Sequence, residues 1–312
     1  MGQISDIDFR YPGLADLISD VCSQNPFQRR KIEAFLQGQD DDYFDFAEDL
    51  LQRVGQSIWS TDEDRGSSAQ AYNKMCLEML SQEIKFKKTG KYPEVSASQV
   101  REQVYEQYSS MKMRVIGLLL TYILWPNHYH MFRLFKEYLG GQNIKNYLEV
   151  GAGHGLFLAE ALQHNEGMNA TIIDISQASI DVSAEILEGF GVDPAAVTML
   201  CGDFLTFNLH NDRFDFIVMG EVIEHVDDPL RFLRTAKELL SSDGTIYMST
   251  CANCPSVDHV YHFHDVEQIR ELIQESGLAI ELDDAVASRD VSGSSWESEL
   301  VPVNYSSFLH LN

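Results

Sequence analysis

The stretch that decides the fold is Tyr147-Leu148-Glu149-Val150-Gly151-Ala152-Gly153-His154-Gly155-Leu156-Phe157. A short, mainly apolar run leads into a glycine-rich turn, and a helical pattern of apolar residues begins directly after it. Glycine permits a tight turn and lets the backbone approach a ligand closely. The segment therefore predicts a strand, a ligand-binding turn and a helix of an α/β sheet.

Strand and helix patterns alternate from this segment to the end of the chain, which is typical of an open α/β sheet. The predicted strands cover residues 147–150, 170–173, 197–200, 214–219, 245–249, 279–283 and 306–311. The predicted helices between them cover residues 156–163, 179–190, 230–240 and 266–276. Before residue 145 only helical periodicity is convincing, with loops predicted over 60–68 and 87–98. We therefore expect an all-helical domain over 1–125 and an α/β domain over 126–312.

The net charge of −25 is unevenly distributed along the 312 residues. Residues 1–140 hold 16 Lys and Arg against 20 Asp and Glu, a net −4, whereas residues 141–312 hold 7 against 28, a net −21. A surface this acidic repels phosphate backbones, which disfavours a nucleic acid partner. A small molecule, or one presented by a carrier, fits better. We also expect no membrane span, because no apolar run approaches about 20 residues.

The spacing of the glycines separates two kinds of nucleotide site. A fingerprint for dinucleotides is GxGxxG, but here the third glycine comes one residue early, as GxGxG. Glu149 stands two residues before the first glycine. A carboxylate beside the loop suits a cationic ligand with an amine and a sulfonium, and it suits a pyrophosphate badly. A plain glycine turn is the alternative.

Acidic residues also follow the second and third predicted strands. Asp174, before Ile175, lies 23 residues after Gly151, where its two oxygens can accept both hydroxyls of a ribose. The alternative is a helix cap, although Ser176 could serve there instead. Asp203 and Phe204 follow the third strand, and a Gly-Asp turn alone is a weak signal.

A buried strand then ends in an acidic turn, Phe214-Asp215-Phe216-Ile217-Val218-Met219-Gly220-Glu221-Val222-Ile223-Glu224-His225-Val226. The four motifs together resemble class I S-adenosylmethionine (SAM)-dependent methyltransferases, and this last one resembles small-molecule O-methyltransferases of the ubiquinone-biosynthesis type. The resemblance covers about residues 145–283. It implies a Rossmann-like methyltransferase sheet over 126–312, preceded by the all-helical domain. It also implies a cofactor site for SAM built from Glu149, Gly151, Gly153, Gly155, Asp174, Ile175, Asp203, Phe204 and Glu221, in which the third-strand Asp bonds the adenine amine and its neighbour stacks on the ring.

The triplet Glu221, Glu224 and His225 has the spacing ExxEH. On a helical turn these positions share one face, where two carboxylates and an imidazole can hold a divalent cation or act as a base. Some methyltransferases similar to this chain bind Mg²⁺ through such a triplet, and in others the residues only line the pocket. Three interpretations therefore stay open: a metal site, a general base at His225, and a structural role.

The predicted reaction is SAM-dependent methyl transfer to an O, N or acidic C nucleophile of a small molecule or carrier-bound biosynthetic intermediate. His225 is the leading catalytic base, with Glu221 and His128 as further catalytic candidates, and the helical domain is expected to form a lid, a homodimer surface, or both. The alternatives are a SAM-binding regulatory or scaffold module without turnover, methylation of a protein, and an NAD-dependent oxidoreductase.

Cysteine usage adds two expectations. The chain has five cysteines without a framework spacing and begins without a secretory signal, which favours the cytoplasm. Cys251-Ala-Asn-Cys254 is a lone CxxC followed by His259, His262 and His264, so that zinc is one interpretation and a loop of small residues is the other.

Overall fold

The computed structural model describes residues 10–59, 61–93, 95–100, 108–209, 213–288, 296 and 299–312. Seven helices precede the sheet: α1 Pro12–Gln24, α2 Arg29–Leu36, α3 Asp41–Ser57, α4 Asp62–Thr89, α5 Ala97–Val100, α6 Tyr108–Leu124 and α7 Pro126–Leu139, counted over the described ranges. The elements that follow are β1 Asn146–Val150, α8 Leu156–His164, β2 Asn169–Asp174, α9 Gln177–Gly189, β3 Val197–Cys201, β4 Phe214–Gly220, α10 Pro229–Leu239, β5 Leu240–Ala252, α11 Val266–Ser276, β6 Leu278–Ala287 and β7 Val303–Leu311.

Side-chain caps explain where several helices begin. The Asp40 carboxylate accepts a hydrogen bond from the Tyr43 backbone N–H at 3.0 Å and starts α3. Thr61 and Asp64 form a reciprocal capping box at the start of α4. The loop predicted over 60–68 is therefore wrong from Asp62 onward, and the predicted loop over 87–98 begins only at Gly90, whose φ of 66° ends α4.

The seven predicted strands are all present and form one sheet in the order β3-β2-β1-β4-β5-β7-β6. The first five run parallel, and β7 pairs antiparallel with both β5 and β6. The strand order reverses direction between β1 and β4, which are neighbours in the sheet. Ligands of open α/β sheets bind outside the carboxyl ends of the strands at such a switch point.

The helical segment and the sheet share one hydrophobic core. A single buried cluster joins Leu119 of α6 and Phe135 of α7 to Tyr247 and Phe308 on one face of the sheet. The other face packs against α10 and α11. Within the described ranges, we find no helix with the length and apolar character that crossing a membrane requires.

Candidate active site

The turn after β1 adopts a backbone conformation that favours glycine. Gly151, Gly153 and Gly155 have φ values of 72°, 51° and 65°. A Cβ atom on Gly151 would lie 2.7 Å from Cγ2 of Val222, in the segment after β4, whereas a Cβ atom on Gly153 would meet nothing closer than 3.9 Å. Gly151 is thus required for packing, and Gly153 faces open space where a ligand can approach the backbone.

Asp174, at the end of β2, is tied to this glycine turn. Its carboxylate accepts hydrogen bonds from the backbone N–H of Ser176, at 2.8 Å, and from those of Gly153 and half-buried Ile175. Burial raises the pKa of Asp174 to about 6. The cap of α9 is the hydroxyl of Ser176, which accepts from Ser179 N–H at 3.3 Å. Asp174 is therefore not needed as a cap.

Glu149, on β1 beneath the turn, is bonded within the protein. Its carboxyl group accepts a hydrogen bond from the Tyr147 hydroxyl at 2.6 Å and another from the Leu158 backbone N–H. Burial raises the pKa of Glu149 to about 8, so the group is mainly protonated at neutral pH. A direct contact between Glu149 and a cationic cofactor stays a prediction.

The two residues after β3 differ in exposure. Asp203 is exposed, and its carboxylate accepts from the Leu205 backbone N–H at 2.9 Å. Phe204 is buried, and its ring packs on that of Phe232 with 4.8 Å between centroids. The predicted stacking of Phe204 on adenine stays a prediction, and its core packing argues against it.

Two carboxylates lie close together after β4. Glu221 Oε2 accepts from the Asn304 side-chain amide at 3.2 Å, and Glu224 Oε2 accepts from the Thr250 hydroxyl at 2.8 Å. The Oε1 atoms of both residues are buried and have no hydrogen-bond partner among the described residues. Burial raises the pKa of Glu221 to about 7, and burial together with the charge of Glu221 raises that of Glu224 well above its usual range.

The spacing of the ExxEH triplet predicts that its three residues share one helical face, and this prediction is wrong. Glu221 has a left-handed φ of 54°, and only the single 3₁₀ turn Ile223–His225 follows it. Among the described residues, two groups of ligand atoms that lie within 4.8 Å of one another include members of the triplet: Glu224 with His225 and His259, and Glu224 with Glu221 and Cys251. The three predicted metal ligands are not all members of one such group.

His225 is held by the loop after β5. Its Nδ1 lies 2.8 Å from the Asp258 carbonyl oxygen and 3.7 Å from the Asp258 carboxylate. The carboxylate also pairs with Arg114 on α6. Burial alone would raise the pKa of Asp258, but Arg114 and the imidazoles of His225 and His259 lower it well below its usual range. Asp258 thus stays ionised beside His225.

The helical segment reaches the site at further points. Asn127 on α7 donates to the Asn304 side chain at 2.7 Å, which in turn donates to Glu221. His128 is buried, with Nδ1 2.6 Å from the Thr121 hydroxyl, and burial lowers its pKa to about 3. The catalytic role of His128 stays a prediction, and its burial within the helices favours packing instead.

Three site residues were missed from the sequence, namely Arg114, Asp258 and Asn304. His259 follows the CxxC segment and is indicated by the sequence only as a possible zinc ligand, whereas the structure places it beside Glu224 and His225 as well. Arg114 and Asp258 are 144 residues apart, and no local pattern indicates that they pair.

Comparison with known proteins gives a match within the predicted α/β domain, residues 126–312. A family described as "Methyltransferase domain" matches residues 127–283, about half of the sequence. The chain belongs to this methyltransferase family. The match begins at α7 and ends within β6, and it includes all the predicted cofactor-site residues.

Curated relatives match this chain over a shorter segment than the family does. A ubiquinone biosynthesis O-methyltransferase of Actinobacillus pleuropneumoniae serotype 7 is 36% identical over 110 residues, which is 34% of this chain and 45% of the relative. One of the same name from Coxiella burnetii is 34% identical over 106 residues, 34% of this chain and 43% of the relative. The chain thus spans less than half the length of these relatives.

Solved structures support the fold over a wider range. The [4+2]-cyclase SpnF superposes with a TM-score of 0.54 at 15% identity and covers 70% of this chain and 98% of its own. The mitomycin 7-O-methyltransferase MmcR superposes with a TM-score of 0.52 at 15% identity. The superposition covers 85% of this chain and 75% of the MmcR chain. At this identity the likeness concerns the fold alone.

Proposed function

We propose that the protein transfers a methyl group from SAM to an O, N or acidic C nucleophile of a small molecule or a carrier-bound biosynthetic intermediate. The observation that carries the proposal is the link between the glycine turn and Asp174, at the switch point of a sheet in the methyltransferase family. The names of the curated relatives support a small-molecule oxygen as the first acceptor to test.

The side chains at this edge fit a cationic cofactor. Asp174 and exposed Asp203 supply acceptors for hydroxyl and amine groups, and the space above Gly153 is open. The unpartnered oxygens of Glu221 and Glu224 supply acceptors that suit an ammonium group, and a bound cation would favour the ionised forms of both groups. SAM would supply a methyl group that its own sulfonium activates, so the protein's task is alignment and exclusion of water.

His225 is proposed as the base that removes the proton from the acceptor. With Nδ1 donating to the Asp258 carbonyl oxygen, Nε2 is the nitrogen that accepts a proton. The ionised Asp258 carboxylate, 3.7 Å away, stabilises the imidazolium that then forms. Asp258 acts here as a positioning residue, and Arg114 holds it from the helical segment.

Turnover tests this proposal. Full-length protein is incubated with SAM and a panel of phenols, amines and β-keto acids, and formation of S-adenosylhomocysteine is measured. His225→Ala should lower kcat by about 100-fold or more with unchanged S-adenosylhomocysteine affinity. His164→Ala, at an exposed histidine, is the control.

The predicted Mg²⁺ site at Glu221, Glu224 and His225 is tested in the same assay. If an ion positions an acceptor oxygen and lowers its pKa, a chelator stops turnover and added Mg²⁺ restores it. A His225→Ala protein with a near-native, chelator-insensitive rate would remove both the base and the metal role. SAM binding without turnover on any acceptor would support the regulatory alternative.

We also propose that residues 1–125 form a helical accessory domain that covers the segments after β4 and β5 of the domain 126–312. The contact of Arg114 with Asp258 supports a lid role. The core shared between helices and sheet supports a lid that is docked in the absence of ligand.

A further inference from the structure

The CxxC segment lies where β5 ends and its loop turns back. Cys251 is the penultimate residue of β5 and is buried, and Cys254 is half-buried. Between them Asn253 has a φ of 51°, and its backbone N–H donates to the Phe263 carbonyl oxygen at 2.9 Å. The chain therefore folds back on itself and returns His259 to the cysteines.

The three side chains form a compact group of metal-ligand atoms. The Cys251 sulfur is 3.9 Å from Nδ1 of His259, and the ligand atoms of Cys251, Cys254 and His259 all lie within 4.8 Å of one another. Nδ1 also lies 2.6 Å from the Cys254 carbonyl oxygen, so coordination through this nitrogen would exchange that hydrogen bond for a metal bond.

A second, independent observation concerns the two carboxyl groups that lie next to Cys251. The Oε1 atoms of Glu221 and Glu224 are buried without a hydrogen-bond partner in the described part of the chain. One carboxylate oxygen of each lies within 4.8 Å of the Cys251 sulfur. A buried carboxylate oxygen that lacks a donor is stabilised by a cation.

We propose that Cys251, Cys254 and His259 bind Zn²⁺. Glu224, whose ligand atom lies within 4.8 Å of Cys251 in one group and of His259 in another but not in one group with Cys254, is the nearest candidate for the fourth ligand. Two thiolates, an imidazole and a carboxylate are a ligand set that zinc accepts in a tetrahedral site, and thiolates select zinc over Mg²⁺. The ion would fix the loop that carries Asp258, adjacent to His259, and so the positioning of His225. The zinc site shares Glu224 with the predicted Mg²⁺ triplet and differs from it in its two sulfur ligands and in His259.

The experiment uses the full chain, purified with a thiol reductant, stripped of metal and then titrated with Zn²⁺ and, separately, Co²⁺. We expect one zinc per chain by elemental analysis, and a thiolate-to-cobalt charge-transfer band. Cys251→Ser and Cys254→Ser should each weaken zinc binding by more than about 100-fold, since even outer-shell partners of metals contribute about 10- to 100-fold. Cys201→Ser, at an exposed cysteine, should bind as the wild type does.

Circular dichroism checks that each variant is folded, and Cys254→Ser carries the test alone if buried Cys251 does not tolerate serine. Reduced wild-type protein that binds no zinc would overturn the proposal, and so would zinc affinity that survives loss of both sulfurs. Two thiols lost on oxidation, with no zinc bound on reduction, would show that the pair forms a disulfide instead. None of these measurements depends on methyl transfer, so the zinc proposal and the proposed function can fail separately.

Discussion

The two halves of the sheet's carboxyl edge satisfy their polar groups differently. On the donor side, formed by the turns after β1 and β2, Asp174 and Glu149 accept hydrogen bonds from backbone N–H groups and a hydroxyl. On the acceptor side, formed by the segments after β4 and β5, Glu221 and Glu224 each keep a buried oxygen unpartnered among the described residues. The polar groups of the donor side are satisfied within the protein, whereas the acceptor side keeps two buried carboxyl oxygens that a ligand or ion can still contact.

This difference suggests that ligand binding has different consequences on the two sides. A preformed donor side binds its ligand without reorganisation, because its backbone is fixed by local hydrogen bonds. On the acceptor side, burial raises the pKa of Glu224 well above its usual range, and a cationic ligand would favour the ionised form of this group on binding. Substitutions on the donor side should therefore change binding and stability together.

Alanine at the glycines of the turn should have the largest effect. Gly151→Ala should lower the free energy of unfolding by about 2–5 kcal/mol, because a left-handed alanine costs about 1–2 kcal/mol and crowding costs about 1–3 kcal/mol more. The crowding arises at Val222, 2.7 Å from the added Cβ. Gly153→Ala should lower it only by the conformational cost, about 1–2 kcal/mol, since its Cβ meets nothing within 3.9 Å.

Denaturant unfolding measures this difference, and calorimetry with S-adenosylhomocysteine measures binding in the same two proteins. Gly153→Ala should lose affinity despite its milder effect on stability, because the new methyl group occupies the space left for a ligand. Unchanged affinity in Gly153→Ala would mean that the turn does not hold the cofactor.

Removing the charge of Asp174 should have an intermediate effect on binding. Asp174→Asn keeps the shape of the side chain but weakens acceptance of hydrogen bonds from ligand hydroxyls. Affinity for S-adenosylhomocysteine should fall by about 1–3 kcal/mol, or about 5- to 150-fold, by calorimetry. Asp181→Asn, at an exposed position on α9, is the matched control. Equal affinity in both variants would assign the ribose to another residue.

The donor side was largely predictable from the sequence, because its signals are local. Strand periodicity and the glycine spacing indicated β1, β2 and the turn between Val150 and Leu156 to within a residue. Local signals failed at the start of α4, where Gly66 and several serines favoured a loop. The capping box of Thr61 and Asp64 determines the helix there instead.

The acceptor side could be predicted only in part, because contacts between distant segments determine it. The motif indicated Glu221, Glu224 and His225 as site residues, but a helical face was assumed where Glu221 turns left-handed. Its backbone N–H donates to Ser249 on the neighbouring strand at 3.0 Å, and this pairing supports the turn. The pairing of Arg114 with Asp258 joins a helix to a loop, and neither segment carries a pattern for the other.

The last prediction concerns the protonation of Glu149, and it tests whether the donor side is built for a neutral carboxyl group. Burial raises the pKa of Glu149 to about 8 in the folded protein, from an ordinary 4.5. A group with a raised folded pKa stabilises fully below its unfolded pKa, and that contribution is lost as pH rises toward 8. Ionisation of Glu149 should therefore destabilise the folded protein as pH rises from 5 to 8. Glu149→Gln cannot ionise, so the stability of this variant relative to the wild type, measured by thermal unfolding, should increase from pH 5 to pH 8. Glu137→Gln, at an exposed position on α7, is the control and should show the same change of stability with pH as the wild type.

If the stability of Glu149→Gln changes with pH as that of the wild type does, Glu149 is ionised in the folded protein. The donor side would then also hold a buried carboxylate, and the contrast with the acceptor side would be smaller.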